Sequence, residues 1–172
     1  MKPITMKALL AGSVALLLSA APAAAAAPIS EFDGKSLAAI RSAHAGKPFV
    51  LAFWSVHCEP CREELAQLGA VARRHPDVPI ILVAADPPRD RAAVTRILGS
   101  YDLRGVQQWA YADDFEERIR YAVDPAWRGE LPRTYLYDSR HQPEGHTGAA
   151  LPALLDPWIA RQMLVLKAPS KN

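Results

Sequence analysis

The stretch Phe53-Trp54-Ser55-Val56-His57-Cys58-Glu59-Pro60-Cys61 decides how this chain is read. It joins an apolar run, Phe49 to Val56, to a segment with helical period. The run follows the turn Gly46-Lys47-Pro48 and suits a buried central strand. Beyond Cys61, Leu65, Leu68 and Ala72 recur at helical spacing, with Val71 beside them. The two cysteines therefore fall at i and i+3 on the first turn of a helix.

That placement has a chemical meaning. Thiol-disulfide exchange needs a thiolate to attack a sulfur and a second thiol to release the mixed disulfide. Unpaired N–H groups at a helix N-terminus stabilise the anion on the first sulfur. Pro60 lacks an N–H and suits this first turn. Cys58 is thus expected to be the exposed nucleophile and Cys61 the more buried resolving thiol. The redox-active disulfide Cys58–Cys61 is the only redox group required, and no further cofactor is expected. A haem attachment site needs His directly after the second cysteine, and Arg62 stands there instead. A structural zinc site takes four ligands, and no second paired motif supplies the other two. A structural staple is a poor explanation too, because so short a loop contributes little closure entropy.

The residues outward from this centre alternate between strand and helix patterns. Pro28 to Gly34 reads as a loop, and Ser36 is expected to cap a short helix carrying Leu37, Ile40 and His44 on one side. Pro79 to Ala85 reads as a second strand. Asp86-Pro87 or Asp90 starts the next helix, whose buried face is Val94, Ile97, Leu98 and Tyr101. Val106 to Ala112 is a short strand. Asp113 and Glu116 have capping-box spacing ahead of a helix with Phe115 and Ile119. Tyr121 to Leu131 reads as a loop, Arg133 to Asp138 as a strand, and Glu144 to Thr147 as its hairpin partner. Pro157 places the start of the last helix near Asp156, with Leu154, Leu155, Trp158, Ile159 and Met163 at helical spacing. The order αβαβα, then βα, then ββα predicts an α/β fold, a central mixed sheet with helices on both faces.

The start of the 172-residue chain reads as a targeting signal. Lys2 and Lys7 precede an apolar run, Ala8 to Ala20, that is short for a membrane span. Ala21-Pro22 and a run of alanines then supply small residues for cleavage after Ala26 or Ala27. The alternative is an uncleaved membrane anchor. Residues 1–27 are therefore assigned as a signal peptide and 28–172 as one domain, with localisation in the periplasm or another extracytoplasmic space. Of the 20 basic and 18 acidic residues, the leader holds two lysines and no acid, which leaves the remainder balanced. Nothing in that balance marks a nucleic-acid binder. A monomer is expected. The two cysteines are the only ones in the chain, and oxidising surroundings disfavour leaving them unpaired.

With these motifs in place, the chain resembles the thioredoxin-like proteins, most closely the exported TlpA/ResA-like thiol-disulfide oxidoreductases. Their usual active-site stretch is F-W-x-x-W-C-x-P-C. A second match lies downstream, where Leu131-Pro132-Arg133-Thr134 resembles the family's P-x-T strand, and Gly148 also fits. The resemblance spans roughly residues 36 to 165 and is more specific than Cys-x-x-Cys alone. It implies a thioredoxin-like fold and a cis Pro132 packed beside the sulfurs, holding the Leu131 backbone open to a partner chain. It implies that Glu64 is an acid of raised pKa that exchanges a proton with Cys61; the alternative is a solvated surface glutamate. It implies a protein disulfide reductase, kept reduced by a membrane electron donor. The implied substrates are proteins with exposed cysteines, such as apocytochrome c or copper-site assembly proteins. A docking surface is expected around Trp54, Pro60, Leu131 and Pro132.

Three departures accompany the match. His57 replaces a Trp, and either lowers the Cys58 pKa or is a polar surface residue. Ala52 stands where thioredoxin has a buried aspartate. No proline follows Glu64. A reading of another class is a copper-binding assembly factor using Cys58, Cys61 and one of His57, His141 or His146, since soft thiolates suit Cu(I).

Overall fold

The computed structural model describes residues 28–149 and 152–167. The expected leader over residues 1–27 lies outside the described residues. The elements run β1 (Ser30–Phe32), α1 (Ser36–Ala43), β2 (Phe49–Trp54), α2 (Glu59–Arg74) and β3 (Ile80–Ala84). A 3-10 turn, Pro88–Asp90, leads into α3 (Arg91–Leu98), β4 (Val106–Tyr111) and α4 (Glu116–Val123). The hairpin β5 (Arg133–Tyr137) and β6 (Pro143–Thr147) precedes α5 (Pro152–Lys167).

The six strands form one sheet in the order β1-β4-β3-β2-β5-β6. β1, β4, β3 and β2 are mutually parallel, while β5 and β6 are antiparallel to their neighbours. β2 and β3 lie at the centre, and every residue of both is buried. An uninterrupted apolar run suits a strand covered on both faces, where alternation with polar residues would bury unpaired groups.

The pleat divides the core in two. Val50, Ala52, Trp54, Ile80, Leu82 and Ala84 face α2, α3 and α5, meeting Leu65, Leu68, Val94, Leu98, Leu155 and Trp158. Phe49, Leu51, Phe53, Ile81 and Val83 face the other side, against Leu37 and Ile40 of α1 and Ile119 of α4. The α2 stripe begins at Cys61, which is fully buried, and continues through Leu65, Leu68 and Ala72. The helical period therefore fixes which cysteine goes inside.

Several local expectations give way to tertiary structure. Pro28 to Gly34 contains β1, a three-residue edge strand paired in parallel with β4. Its pairing partner lies nearly eighty residues away, so nothing local marks it. Ser36 is not the cap of α1. Lys35 holds that position without a side-chain bond, and the Ser36 hydroxyl instead donates to Asp33 Oδ1 at 2.9 Å. Asp113 does not cap α4 either. Phe115 takes the cap position and is 66% exposed, while Asp113 Oδ1 accepts the Phe115 N–H. α4 runs on to Val123, into the segment expected to be a loop. Tyr101 lies past the end of α3 but still packs against the core.

α5 starts at Pro152 and runs through Pro157. An interior proline costs about 3 kcal/mol. Burying Leu155, Trp158 and Ile159, all at most 3% exposed, contributes about 1.5–3 kcal/mol each. The packing term wins.

Gly69 lets α2 approach the loop before β4. A Cβ there would collide with the Asp102 carbonyl oxygen and touch Leu103 Cδ2 at 3.4 Å. In an open helix Gly→Ala is favourable by about 1 kcal/mol. Here the backbone clash dominates, because a carbonyl cannot swing away as a side chain can. Gly69→Ala is expected to lower stability by about 1–2 kcal/mol, read as a reduced urea midpoint at unchanged slope.

Candidate active site

β2 delivers the chain to the C-terminal end of the central strands at Trp54, and α2 starts five residues later. Cys58 is the N-cap of α2, in extended conformation, with Pro60 in the first turn. Its Sγ accepts the Cys61 N–H at 3.3 Å. Cys58 and Cys61 are joined in a disulfide with Cα atoms 5.3 Å apart. Cys61 is fully buried, whereas Cys58 is only partly covered. One sulfur is therefore reachable from solvent and the other is not. When the bond opens, the reachable sulfur stands at the positive end of a 16-residue helix.

β5 brings the second motif to the same place. Antiparallel pairing sets Phe53 opposite Arg133, so Pro132 falls level with Trp54, beside the loop that carries Cys58. The Leu131–Pro132 bond is cis. The Pro132 carbonyl accepts the Gly148 N–H at 2.9 Å, which ties this segment to the end of β6. Arg133 is fixed by Asp124 Oδ2 at 3.2 Å and Thr147 Oγ1 at 2.6 Å, and Tyr135 Oη donates to the same Asp124 oxygen at 3.0 Å. Burial opposes charge on Asp124, but hydrogen bonds from Ala126, Tyr135 and Arg133 outweigh it and hold the carboxyl below its ordinary value.

Glu64 lies one turn past Cys61 and is 2% exposed. The solvated alternative is thus overturned. Its Oε1 accepts the hydroxyl of Thr134, itself fully buried, at 2.9 Å. A carboxyl group is placed on the buried side of the dithiol, on the same helix face as Cys61.

Of the expected docking residues, Trp54 is 1% exposed and faces α2 and α5, so it presents no surface to a partner. The strand pleat turns it inward. Pro132 is also buried, Pro60 is exposed, and Leu131 is half-buried between the two cores. The accessible rim is therefore Pro60, Val56 and Leu131. His57 is exposed, with Nε2 3.9 Å from Asp90 Oδ2.

Reading the sequence missed two groups here. Asp86, expected only as a helix start, is 2% exposed and accepts the Ser55 hydroxyl at 2.7 Å and the Val56 N–H at 3.1 Å. Burial raises its pKa, and the Ser55 and Val56 bonds offset part of that rise. Arg62 donates back to the Val56 carbonyl at 3.4 Å, setting a cation beside the loop. The clue available in the sequence was the single aspartate ending an otherwise apolar strand.

Of the histidines offered for a copper site, His57 adjoins Cys58 in the chain, while His141 lies away from the cysteines. His141 Nε2 lies 3.1 Å from the His44 carbonyl, and its ring contacts Phe49 at the opposite end of β2. His146 sits on β6 across from Thr134. Among the described residues one group of three ligand-type side chains comes together, His57, Asp86 and Asp90, and it contains no cysteine.

The architecture has solved counterparts. DsbF from Mycobacterium tuberculosis matches with a TM-score of 0.59 at 23% identity, over 70% of this chain and 84% of that one. The fold is thioredoxin-like. A secreted M. tuberculosis disulfide oxidoreductase homologous to E. coli DsbE gives a TM-score of 0.56 at 24% identity, covering 70% and 85% of the two chains. A thiol:disulfide interchange protein of the thioredoxin family from Chlorobium tepidum gives 0.56 at 14% identity, covering 72% and 84%. No family model and no curated protein matches the chain. The mixed sheet with helices on both faces is the one the residue pattern predicts, and its thioredoxin-like form is the one the resemblance implies.

Thr134→Val keeps the shape of the side chain and removes the donor to Glu64. Removing one hydrogen bond to a buried carboxyl group costs about 1–3 kcal/mol. Equilibrium urea unfolding of the variant should show a loss of that size.

Proposed function

We propose that this protein is an exported thiol-disulfide oxidoreductase of the TlpA/ResA-like kind, acting as a protein disulfide reductase through Cys58 and Cys61. The observation that carries the reading is the asymmetry of the pair: Cys58 partly open at the tip of α2, Cys61 sealed behind it.

The reaction balances with the chain's own groups. The Cys58 thiolate attacks one sulfur of a substrate disulfide, forming a mixed disulfide and expelling one substrate thiolate. Cys61 then loses its proton, for which the Glu64 carboxylate is the nearby base, and attacks Cys58 Sγ. The Cys58–Cys61 bond forms and the second substrate thiolate leaves, taking up a proton. Two electrons pass from protein to substrate. A donor of two electrons, taken to be a membrane dithiol protein, restores the reduced state.

Several features support reduction as the net direction. Glu59 and buried Asp86 bring negative charge to the Cys58 loop, opposed by Arg62 at the Val56 carbonyl. Destabilising the thiolate destabilises the reduced form and makes the protein a better reductant. Substrates are expected to be exported proteins with exposed cysteines, apocytochrome c or copper-site assembly proteins among them, docking over Pro60, Val56 and Leu131. Secretion of the M. tuberculosis structural relative agrees with an extracytoplasmic location. No helix among the described residues is long and apolar enough to cross a membrane.

The test is chemical. The reduced protein should reduce insulin and exchange with glutathione, and Cys58→Ser should lower both to background. Cys61→Ser should accumulate a mixed disulfide between Cys58 and its partner, visible as a dithiothreitol-sensitive adduct by mass spectrometry. Activity that survives Cys58→Ser would overturn the assignment.

A further inference from the structure

One carboxylate holds the whole segment that presents the nucleophile. Asp86 follows β3, the strand beside β2, and is 2% exposed. Its Oδ1 accepts the Ser55 hydroxyl at 2.7 Å, and the Val56 N–H reaches Oδ1 and Oδ2 at 3.2 and 3.1 Å. Ser55 passes the support onward. Its Oγ accepts the His57 N–H at 3.1 Å, and its carbonyl accepts the Cys58 N–H at 3.1 Å. Residues 55 to 58 thus hang on Asp86 directly or through the hydroxyl and carbonyl of Ser55.

Resting on the oxidoreductase reading above, we propose that Asp86 is a positioning residue whose buried charge sets the acidity of Cys58 and biases the pair toward reduction of its partner. The Val56 N–H bonded to Asp86 is two residues from Cys58, so the carboxylate lies within about 10–12 Å of the sulfur along the chain. At a partly buried site a unit charge at that range moves a neighbouring pKa by about half a unit to one unit. The sign is fixed: a negative charge raises the thiol pKa and opposes the thiolate.

The other charges facing Asp86 do not cancel it. The Asp90 carboxylate, 3.9 Å from His57 Nε2, has the same sign as Asp86 and adds to its field. Arg89 is engaged by Asp114 at 3.2 Å, away from the loop. On α2, Glu59 adds to the effect and Arg62 opposes it from the Val56 carbonyl. Ala52, which stands where thioredoxin has a buried aspartate, supplies no charge from β2. The buried acid nearest this loop is instead at the end of the neighbouring strand, bonded to the loop itself.

The decisive comparison is Asp86→Asn against Ser55→Ala. Asn keeps an acceptor for Ser55 and Val56 but removes the charge. Alanine at 55 removes a hydrogen bond and keeps the charge. Thiolate absorbance at 240 nm of the reduced proteins, followed against pH, gives the Cys58 pKa without any turnover. Asp86→Asn should lower it by about half a unit to one unit, and Ser55→Ala by much less. In the equilibrium of protein disulfide plus two glutathione thiols with protein dithiol plus glutathione disulfide, Asp86→Asn should shift the constant about 3–10-fold toward the dithiol, above the Cys58 pKa. An unchanged pKa in folded Asp86→Asn, or an equal shift in Ser55→Ala, overturns the proposal.

A measurement on the unaltered protein guards against a variant that does not fold. By linkage, the Asp86 carboxyl carbon resonance of the reduced protein should show an inflection at the Cys58 pKa, and its absence also overturns the proposal. If the unaltered protein fails to exchange with glutathione, the oxidoreductase reading falls. If it exchanges normally and Asp86→Asn is indistinguishable from it, only the role of Asp86 falls.

Discussion

The chemistry of this protein depends on the rotational register of α2 on the sheet. Cys61 is the first member of the buried stripe that continues through Leu65, Leu68 and Ala72. Those side chains fill the space over Val50, Ala52 and Trp54, so the helix cannot turn without emptying the core. Cys58 lies outside the first turn, as the cap, where no stripe pulls it inward. The same packing that stabilises the domain divides the two sulfurs into one that partners reach and one that they do not.

An apolar layer of this kind has few places for polar groups. Two buried carboxyl groups at its margin are bonded across elements. Glu64 on α2 meets Thr134 on β5, and Asp86 after β3 meets Ser55 and Val56 after β2. An unpaired buried carboxylate is expensive, so each pair joins two segments and fixes their separation. Both lie at the end of the sheet that carries Cys58. Glu64 lies on the helix face that also carries Cys61, and Asp86 braces the loop that carries Cys58.

The region around cis Pro132 follows the same economy of connection. Asp124 receives both Arg133 and Tyr135, Arg133 reaches Thr147, and Pro132 receives Gly148. Three segments, around Asp124, Pro132 and Thr147, are thereby fixed around a single bend. The rim left open to a partner is small, made of Pro60, Val56 and the half-buried Leu131.

The sequence alone determined the sheet-and-helix order, the placement of both cysteines at the start of one helix, and the split between inner and outer sulfur. These rest on period and spacing, which survive without knowledge of neighbours. It also carried the Leu131-Pro132-Arg133-Thr134 motif, though only by resemblance. Tertiary structure alone decided what depends on contacts between distant segments. β1 exists because β4 lies beside it. Trp54 is hidden because the pleat of β2 turns it toward α2 and α5, where an exposed aromatic had been expected. α5 passes through Pro157 because three buried side chains outweigh one lost hydrogen bond. Asp86 became visible as part of the site only once β3 was known to lie next to β2. A carboxylate's role is set by what surrounds it, and one-dimensional spacing does not contain that neighbourhood.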